Sequence, residues 1–541
     1  MSGAFSGLWQ RDGRAALPAV LAREWDVLVI GGGISGAGVL LEAARRGLSA
    51  LLVERGDFAS GTSSRSSKLV HGGLRYLKGG HLRLTAESVR EREMLLRCAP
   101  GLVEPQGFAF PQYAGGRGRR SFLVGLALYD AFAGRREPHW LDADDFLAAA
   151  PNVKRESLEG GIVYTDARTD DARLVLRVLR EAMDHGGAAV NHLGARALLR
   201  DGGGGGDDAG AHDRGRVTGA SLECAVAGTR HDVRARVVVD ATGAWSGPLH
   251  GQGPRLRPLR GSHLILPAWR LPLARAVSLM HPHDGRPVFA YPWEGATLVG
   301  TTDLDHADDM GRPARITRAE VNYLMAALRA QFPQLQLTDE DIISTYAGVR
   351  PVIAGKEGGT PSQEGREHVV WSRPGLVAIA GGKLTTFRAI ALDALRHVQR
   401  QLPFWRDPLD ACAVFASAPM PAAPARLDRS VVRRLHGRHG TCAAALVATA
   451  APSELERIPG TDTLWAELRW AARCEAVQHL DDLLLRRTRL GLLLRAVAAA
   501  HLPCIRAICR PELGWTDARW DAEEAAYLDA WTAQHGVPHG E

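Results

Sequence analysis

Apolar positions near the start of the chain change from one periodicity to another. Val27 to Ile30 are all apolar, which predicts a strand buried on both faces. A helical pattern follows to about Arg46, and Gly47 stands where a helix end is expected. Ala50 to Val53 form a second apolar run, which Glu54 closes. This order predicts a strand–helix–strand unit with parallel strands.

Three glycines at the turn between the first strand and the helix add a nucleotide site to this picture. Gly31, Gly33 and Gly36 follow the spacing G-x-G-x-x-G. The first allows a tight turn, the second lets the backbone approach a pyrophosphate, and the third lets the helix pack on the strand. Glu54 favours a ribose without a phosphate. The motif therefore predicts NAD or FAD and does not separate the two.

Two later strands favour FAD. Val237 to Asp240 lead into Ala241-Thr242-Gly243, and Leu376 to Ala380 lead into Gly381-Gly382-Lys383 and a predicted helix. One sheet is thus assembled from separated segments, as is typical of flavoprotein oxidoreductases. An NAD dehydrogenase with a compact nucleotide domain is less expected.

The remaining pattern divides the chain into predicted domains. Helical patterns cover residues 81–97, 170–185 and 317–331, and the segment after about residue 405 is mostly helical. The glycine-rich run at 201–216 predicts a surface loop between two strands. The predicted domains are an N-terminal extension (1–24), a discontinuous FAD-binding domain (25–80, 165–262 and 346–400), a substrate or cap domain (81–164 and 263–345) and a C-terminal helical domain (405–541).

Composition excludes several classes of protein. The 541 residues are 45% hydrophobic and 23% charged, as in ordinary globular proteins. No apolar run is long enough to predict a transmembrane helix, and the N-terminus does not resemble a secretory signal. Only 6% of the residues are aromatic and no recognised nucleic-acid module is present, so nucleic acid is not an expected partner. The seven widely spaced cysteines predict free thiols and no metal site.

The run TSSRSSKLVHGGLRYL at residues 62–77 resembles the signature of the FAD-dependent, aerobic, quinone-linked glycerol-3-phosphate dehydrogenases. Further segments agree with that family in the same order, over about residues 25–495. They are DDARLVL (170–176), ATGAWSG (241–247), GSH (261–263), VGTTD (299–303), YAGVRP (346–351), GGKLTTF (381–387) and DDLLLRRT (481–488). The chain departs from the family in three places: residues 1–24, the loop at 201–216, and Phe387, where tyrosine is common. The first two departures are expected to affect only the surface.

The resemblance implies a fold, a reaction and partners. The fold is an α/β FAD-binding domain of the D-amino-acid-oxidase type with a Rossmann-like sheet, a mixed β-sheet cap over the flavin and an added C-terminal helical domain. The reaction is oxidation of sn-glycerol 3-phosphate to dihydroxyacetone phosphate by hydride transfer to flavin N5, with electrons passed to ubiquinone or menaquinone. The expected location is the cytoplasm, bound peripherally to an anionic membrane surface, and a homodimer is one option. Candidate membrane contacts are the basic patches at 117–120 and 135–136.

The resemblance also assigns residues. Arg75 and Arg350 are expected to bind the phosphate, because guanidinium groups match its oxygens bidentately. Tyr76 adds a hydroxyl or packs nearby. His71 is the first choice of base and His263 the second, with an arginine-assisted route as a third option. Lys383 is expected to begin a helix, contact substrate and stabilise negative charge on reduced flavin.

The predicted FAD contacts combine the fingerprint with the later motifs. They are Gly31, Gly33, Ile34, Ser35, Gly36, Glu54, Arg55, Thr62, Ser66, Ser67, Lys68, Leu69, Ala241, Thr242, Gly243, Gly382, Lys383 and Leu384. Asp303 either orients substrate or caps a turn. Three rival functions remain open: a glycerol-3-phosphate oxidase that uses oxygen, an amine or amino-acid oxidase of the same fold, and a non-catalytic flavin-binding scaffold.

Overall fold

The computed structural model describes residues 5–73, 82–115, 125–127, 129, 131–132, 134, 139–201, 215–246, 253–354, 367–410, 412–421 and 427–540. Its strands, in chain order, are β1 Trp25–Ile30, β2 Ala50–Val53, β3 Val103–Tyr113, β4 His139–Asp142, β5 Leu158–Thr169, β6 Ala188–Val190, β7 Leu193–Arg200, β8 Val217–Cys224, β9 Arg230–Asp240, β10 Leu256–Pro267, β11 Ala276–Met280, β12 Pro287–Trp293, β13 Ala296–Gly300, β14 Leu304–Asp305, β15 Ser344–Ile353, β16 His368–Arg373 and β17 Leu376–Gly381. The α-helices are α1 Leu17–Leu21, α2 Ile34–Ala44, α3 Leu82–Cys98, α4 Ala143–Ala149, α5 Asp171–Asp184, α6 Arg318–Gln331, α7 Phe387–Gln401, α8 Arg429–His439, α9 Ala443–Thr449, α10 Trp465–Cys474, α11 Leu490–Leu493, α12 Leu502–Leu513 and α13 Asp517–His535.

The first sheet contains the strands that the apolar runs predict. Its order is β16-β17-β9-β1-β2-β6, in which β17, β9, β1, β2 and β6 are parallel and β16 is antiparallel. Helix α2 packs against α5 and α7, and their apolar residues form one core with Val27, Val29 and Leu52 of the sheet. The hairpin β7–β8 continues from β9. The parallel strands therefore end at one edge, directly beside the glycine turn.

The second sheet is mixed, and its order is β14-β10-β13-β12-β11-β3-β5-β4. Strand β15 pairs antiparallel with β10 from Leu256↔Ile353 to Ile265↔Ser344. The predicted domain boundaries at 262/263 and 345/346 therefore fall inside two paired strands. The chain passes between the sheets near residues 256 and 354 instead. Apolar runs locate strands but not the sheet that each one joins.

The N-terminal extension is not confined to the surface, contrary to the expectation. Trp9 is buried, and its indole N–H donates a hydrogen bond to the Ala189 carbonyl at 3.0 Å. The Ala476 N–H of the C-terminal region donates to the Trp9 carbonyl at 3.0 Å. Residues 5–24 thus join the first sheet to the C-terminal helices, the first of which begins at Arg429.

Candidate functional site

A cavity of about 1880 Å³ lies between the two sheets. On one side it is lined by the carboxyl ends of β1, β2, β9 and β17, through residues such as Gly31, Glu54, Ala241 and Gly382. On the other side it is lined by residues of the second sheet, including Arg350. The cavity exceeds the roughly 300–1,000 Å³ of a pocket for one drug-sized ligand. It therefore has room for a dinucleotide and a second small molecule.

The glycine turn fits a pyrophosphate. Gly31 has a φ of +113°, and a Cβ there would lie 2.6 Å from the Ala241 carbonyl oxygen. A Cβ on Gly36 would lie 1.9 Å from the Gly31 carbonyl oxygen, so Gly36 serves packing and is not among the described residues that line the cavity. Gly33, Ile34 and Ser35 line the cavity where α2 begins. A side chain at Gly31 or Gly36 would collide with backbone atoms at this turn.

Glu54 is held ready at the end of β2. Its Oε2 accepts from the Gly32 N–H at 2.7 Å, and its Oε1 accepts from the Gly56 N–H at 2.9 Å. Burial raises the pKa of Glu54, while these two hydrogen bonds oppose that rise. Each carboxylate oxygen still has a lone pair for a ribose hydroxyl. Next to it, Arg55 lies 5.1 Å from the centre of the Trp245 ring, and both line the cavity.

The hydroxyl-rich loop is clamped from behind. Tyr346 OH donates to the Ser66 carbonyl at 2.8 Å, and Tyr291 OH donates to the Ser67 carbonyl. Ser66 Oγ donates to Asp171 at 2.7 Å. Along this loop the residues that line the cavity include Thr62, Ser63, Ser66, Ser67 and Leu69.

Lys68 departs from its predicted contact with FAD. It is fully buried with a φ of +52°, and it is not among the described residues that line the cavity. Its ammonium donates to the Ser64 carbonyl at 3.0 Å and pairs with Asp171 at 3.1 Å. Burial lowers the pKa of Lys68 to about 8, against the opposing effect of Asp171. The ammonium therefore holds the loop together and does not reach the cofactor space.

A positively charged wall faces the cavity from the second sheet. Arg350 Nη1 donates to Asp303 Oδ1 at 2.8 Å, and its Nη2 donates to Thr301 Oγ1 at 3.1 Å. Arg286 contacts the other oxygen of the same carboxylate, with 3.3 Å between Nη2 and Oδ2. Arg286, Thr301, Asp303 and Arg350 all line the cavity. Arg350, which the sequence predicts as a phosphate-binding residue, lies in this wall. Arg286 was not predicted as a site residue, because it belongs to none of the motifs.

The two candidate histidines occupy different environments. His71 lines the cavity. His263 is 1% exposed, stacks on Tyr346 with 4.6 Å between ring centres, and is not among the described cavity residues. Its Nε2 lies 2.9 Å from Ser67 Oγ, which does face the cavity. Burial, with Arg350 and Lys68 nearby, holds the pKa of His263 well below its ordinary value. The lowered pKa favours the neutral ring, and within the described part of the chain the Ser67 hydroxyl connects it to the cavity.

Comparison with known proteins agrees with a dinucleotide in this cavity. A family described as FAD dependent oxidoreductase matches residues 26–388, more than half of the chain. The chain belongs to this FAD-dependent oxidoreductase family. A second family, described as the C-terminal domain of alpha-glycerophosphate oxidase, matches residues 388–520. The cofactor predicted from the sequence is therefore confirmed as FAD.

Relatives of this FAD-dependent oxidoreductase carry a consistent name. The aerobic glycerol-3-phosphate dehydrogenase of Staphylococcus saprophyticus is 34% identical over 496 residues, covering 86% of this chain and 87% of the relative. The protein of that name from Staphylococcus aureus is 34% identical over 505 residues, covering 86% of each. The solved glycerol-3-phosphate dehydrogenase from Bacillus halodurans, complexed with FAD, has a TM-score of 0.76 and 28% identity, covering 98% of this chain and 100% of that one. The predicted fold class is thereby confirmed.

The remaining predicted residues of the FAD-dependent oxidoreductase have mixed outcomes. Thr242, Gly243, Gly382, Lys383 and Leu384 line the cavity beside Ala241. Lys383 does not begin a helix, because α7 starts four residues later at Phe387. Arg75, Tyr76 and the basic patches at 117–120 and 135–136 lie outside the described residues.

The C-terminal helical domain also contributes to the cavity of this oxidoreductase, which the sequence did not reveal. His479, Asp481, Arg486 and Gln534 are among its lining residues. Gln534 Oε1 accepts from Arg65 at 2.9 Å. A signal in the sequence was the group of arginines at 486, 487 and 489, of which Arg487 pairs with Asp57 and Arg489 pairs with Asp170, both distant in sequence.

Proposed function

We propose that this chain oxidises sn-glycerol 3-phosphate to dihydroxyacetone phosphate. The observation that carries the proposal is the guanidinium of Arg350, fixed by Asp303 and Thr301 in the same cavity as the dinucleotide turn. A guanidinium in that position suits a phosphate monoester held beside the cofactor. The name shared by the Staphylococcus relatives supports the same substrate.

The cofactor residues follow from the fit described above. Gly31, Gly33 and the start of α2 would hold the pyrophosphate of FAD, and Glu54 would hold its ribose. When bound, FAD supplies a hydride acceptor at its N5 atom. The protein supplies orientation, an anion site and a base.

His71 is the base we propose. His71 lines the cavity, and an imidazole can take a hydroxyl proton as a general base. His263 is the alternative, because its neutral ring can receive the same proton through the Ser67 hydroxyl. Replacing each histidine with asparagine separates the two routes. A loss of about 100-fold in kcat for His71→Asn, with a smaller loss for His263→Asn, supports His71. The reverse ranking supports the Ser67 route.

We propose a membrane quinone as the electron acceptor, because the relatives are named as aerobic dehydrogenases. Oxygen is the second candidate, because the matching C-terminal family is described from an alpha-glycerophosphate oxidase. Anaerobic turnover with a soluble quinone, compared with peroxide formation in air, distinguishes them. Rapid peroxide formation without quinone would favour the oxidase.

Peripheral membrane attachment and a homodimer complete the proposal. Among the described residues, no helix has the length and apolar character needed to cross a bilayer. Attachment to the inner face of the cytoplasmic membrane would then rely on basic surface groups. Co-flotation with anionic vesicles, lost at high salt, would support it, and sedimentation equilibrium tests the dimer.

A further inference from the structure

We infer that Arg286 is a second guanidinium of the phosphate site and sets its preference for a doubly charged anion. This inference rests on the proposed function. The backbone of Arg286 is fixed just before β12, where its N–H donates to Asp284 Oδ1 at 3.0 Å and its carbonyl accepts from the His281 N–H at 2.8 Å. Its side chain is 27% exposed and faces the cavity. The group is therefore positioned but accessible.

One carboxylate serves two guanidinium groups in this wall. Asp303 is 3% exposed, and its two oxygens contact Arg350 at 2.8 Å and Arg286 at 3.3 Å. Elsewhere in the same sheet, Arg257 contacts both oxygens of Asp305, at 2.6 and 2.8 Å. The Asp284 carboxylate accepts from Tyr323 OH at 2.9 Å and from the Arg286 backbone N–H at 3.0 Å, and it is not among the described residues that line the cavity. Among the described residues, the contact group formed by Arg286, Arg350 and Asp303 thus has two positive groups and one negative group.

That surplus charge matches the substrate class. A phosphate monoester carries about −1.5 to −2 charges near pH 7, whereas a carboxylate carries one. Arg350 alone, partly neutralised by Asp303, suits a single negative charge. Arg286 makes the longer contact with Asp303, and two of its five N–H groups are engaged within the described part of the chain. It therefore has donors to turn toward the additional oxygens of a phosphate.

The test compares Arg286→Gln with Arg286→Lys and with Arg257→Gln, which breaks an ion pair outside the cavity. Binding of inorganic phosphate and of acetate to the oxidised holoenzyme is followed by the change in flavin absorption, and KM and kcat are measured with glycerol 3-phosphate. We expect Arg286→Gln to weaken phosphate binding and raise KM by about 10- to 100-fold. Acetate binding should change less than threefold, and kcat should be nearly preserved. Arg286→Lys should recover part of the loss, and Arg257→Gln should behave as the wild type.

Phosphate affinity and KM within twofold of the wild type in Arg286→Gln would overturn the inference and leave Arg286 as a partner of Asp303 only. Equal losses for phosphate and acetate would also overturn it. If Arg286→Gln does not retain flavin, Arg286→Lys decides, with a loss of phosphate affinity of about 3- to 10-fold expected because it keeps the charge but not the fork. A wild-type enzyme that glycerol 3-phosphate does not reduce would instead overturn the proposed function itself.

Discussion

At the scale of single residues, the position of Arg350 in the positively charged wall depends on a glycine that has no side chain. Gly261 of β10 lies opposite Gly348 of β15. A Cβ on Gly261 would lie 2.3 Å from Arg350 Nη2 and 2.7 Å from Thr301 Oγ1. The Arg350 guanidinium can therefore cross β10 only because residue 261 is glycine.

Gly261→Ala should displace the Arg350 guanidinium while the strands and the cofactor turn remain in place. We expect KM for glycerol 3-phosphate to rise about 10-fold, as for the loss of one charge-assisted hydrogen bond. Steady-state kinetics at constant flavin content measures the effect. The control is Gly7→Ala, since a Cβ at Gly7 meets nothing within 4 Å. An unchanged KM would show that the Arg350 position is not coupled to Gly261.

Local motifs explain which residues could be predicted. Gly31 and Glu54 lie within one strand–helix–strand unit, so their spacing along the chain fixes their positions in space. His263 and Lys68 belong to equally specific segments, yet their side chains lie behind the cavity wall. Their orientation depends on Tyr346 and Asp171, which are distant in sequence. A local sequence pattern cannot predict contacts with residues that are distant along the chain.

At the scale of elements, buried ion pairs fasten the C-terminal helices to the FAD-binding sheet. Arg489 Nε donates to Asp170 at 2.9 Å, and its Nη2 pairs with Asp171. Arg487 pairs with Asp57 at 2.6 Å. Burial opposes ionisation of Asp170, but Arg489 and Arg438 hold its pKa below the ordinary value. The Arg489 pairs lie directly behind the loop that Asp171 holds through Ser66.

Arg489→Met should leave the buried Asp170 and Asp171 short of positive charge. We expect a loss of about 3–5 kcal/mol in the free energy of unfolding, as for breaking one side of a buried ion pair. Flavin should also be released more readily, because Asp171 supports the hydroxyl-rich loop. Urea titration and retained flavin after gel filtration measure both effects.

Arg506→Met is the matched control, since Arg506 pairs with Asp517 and Asp521 on the exposed surface of the same helical domain. Its urea midpoint should equal that of the wild type. Equal behaviour of the two variants would contradict a fastening role for Arg489.

At the scale of the whole molecule, the sequence predicted many of the strands and helices but not the contacts that join them. Apolar runs located β1, β2, β9 and β17 of the first sheet, and helical periodicity located α2, α5 and α6. The assignment of β10 and β15 to the second sheet, the docking of Trp9 and the C-terminal wall of the cavity all depend on pairings over long separations. Such pairings are determined by packing of complete elements.

One of these long-range contacts predicts that the folded protein loses stability at acidic pH. His535 of α13 is 4% exposed, and its Nδ1 lies 2.8 Å from the Thr345 carbonyl of β15. Burial lowers the pKa of His535 to about 3, whereas an unfolded histidine titrates near 6.5. The unfolded chain therefore binds the proton first as pH falls. The stability contributed above about pH 6.5 is lost progressively toward pH 3.

Between pH 7 and pH 5, His535 should account for a loss of about 2 kcal/mol in the free energy of unfolding. His535→Gln should reduce the pH dependence by that amount, even if its stability at pH 7 is lower. Urea titrations at the two pH values measure the difference. His139→Gln, at an exposed position, should retain the wild-type dependence. The same dependence in His535→Gln would contradict this assignment.

The most direct test of the proposed function is the absorption spectrum of the purified holoenzyme before and after anaerobic addition of glycerol 3-phosphate. We expect the oxidised flavin bands to bleach within the mixing time of a manual experiment, and dihydroxyacetone phosphate to form in an amount equal to the flavin. Glycerol and glycine, which lack the phosphate, should leave the bands unchanged at the same concentration. Flavin that stays oxidised with glycerol 3-phosphate, or that glycine bleaches as readily, would contradict the proposed function.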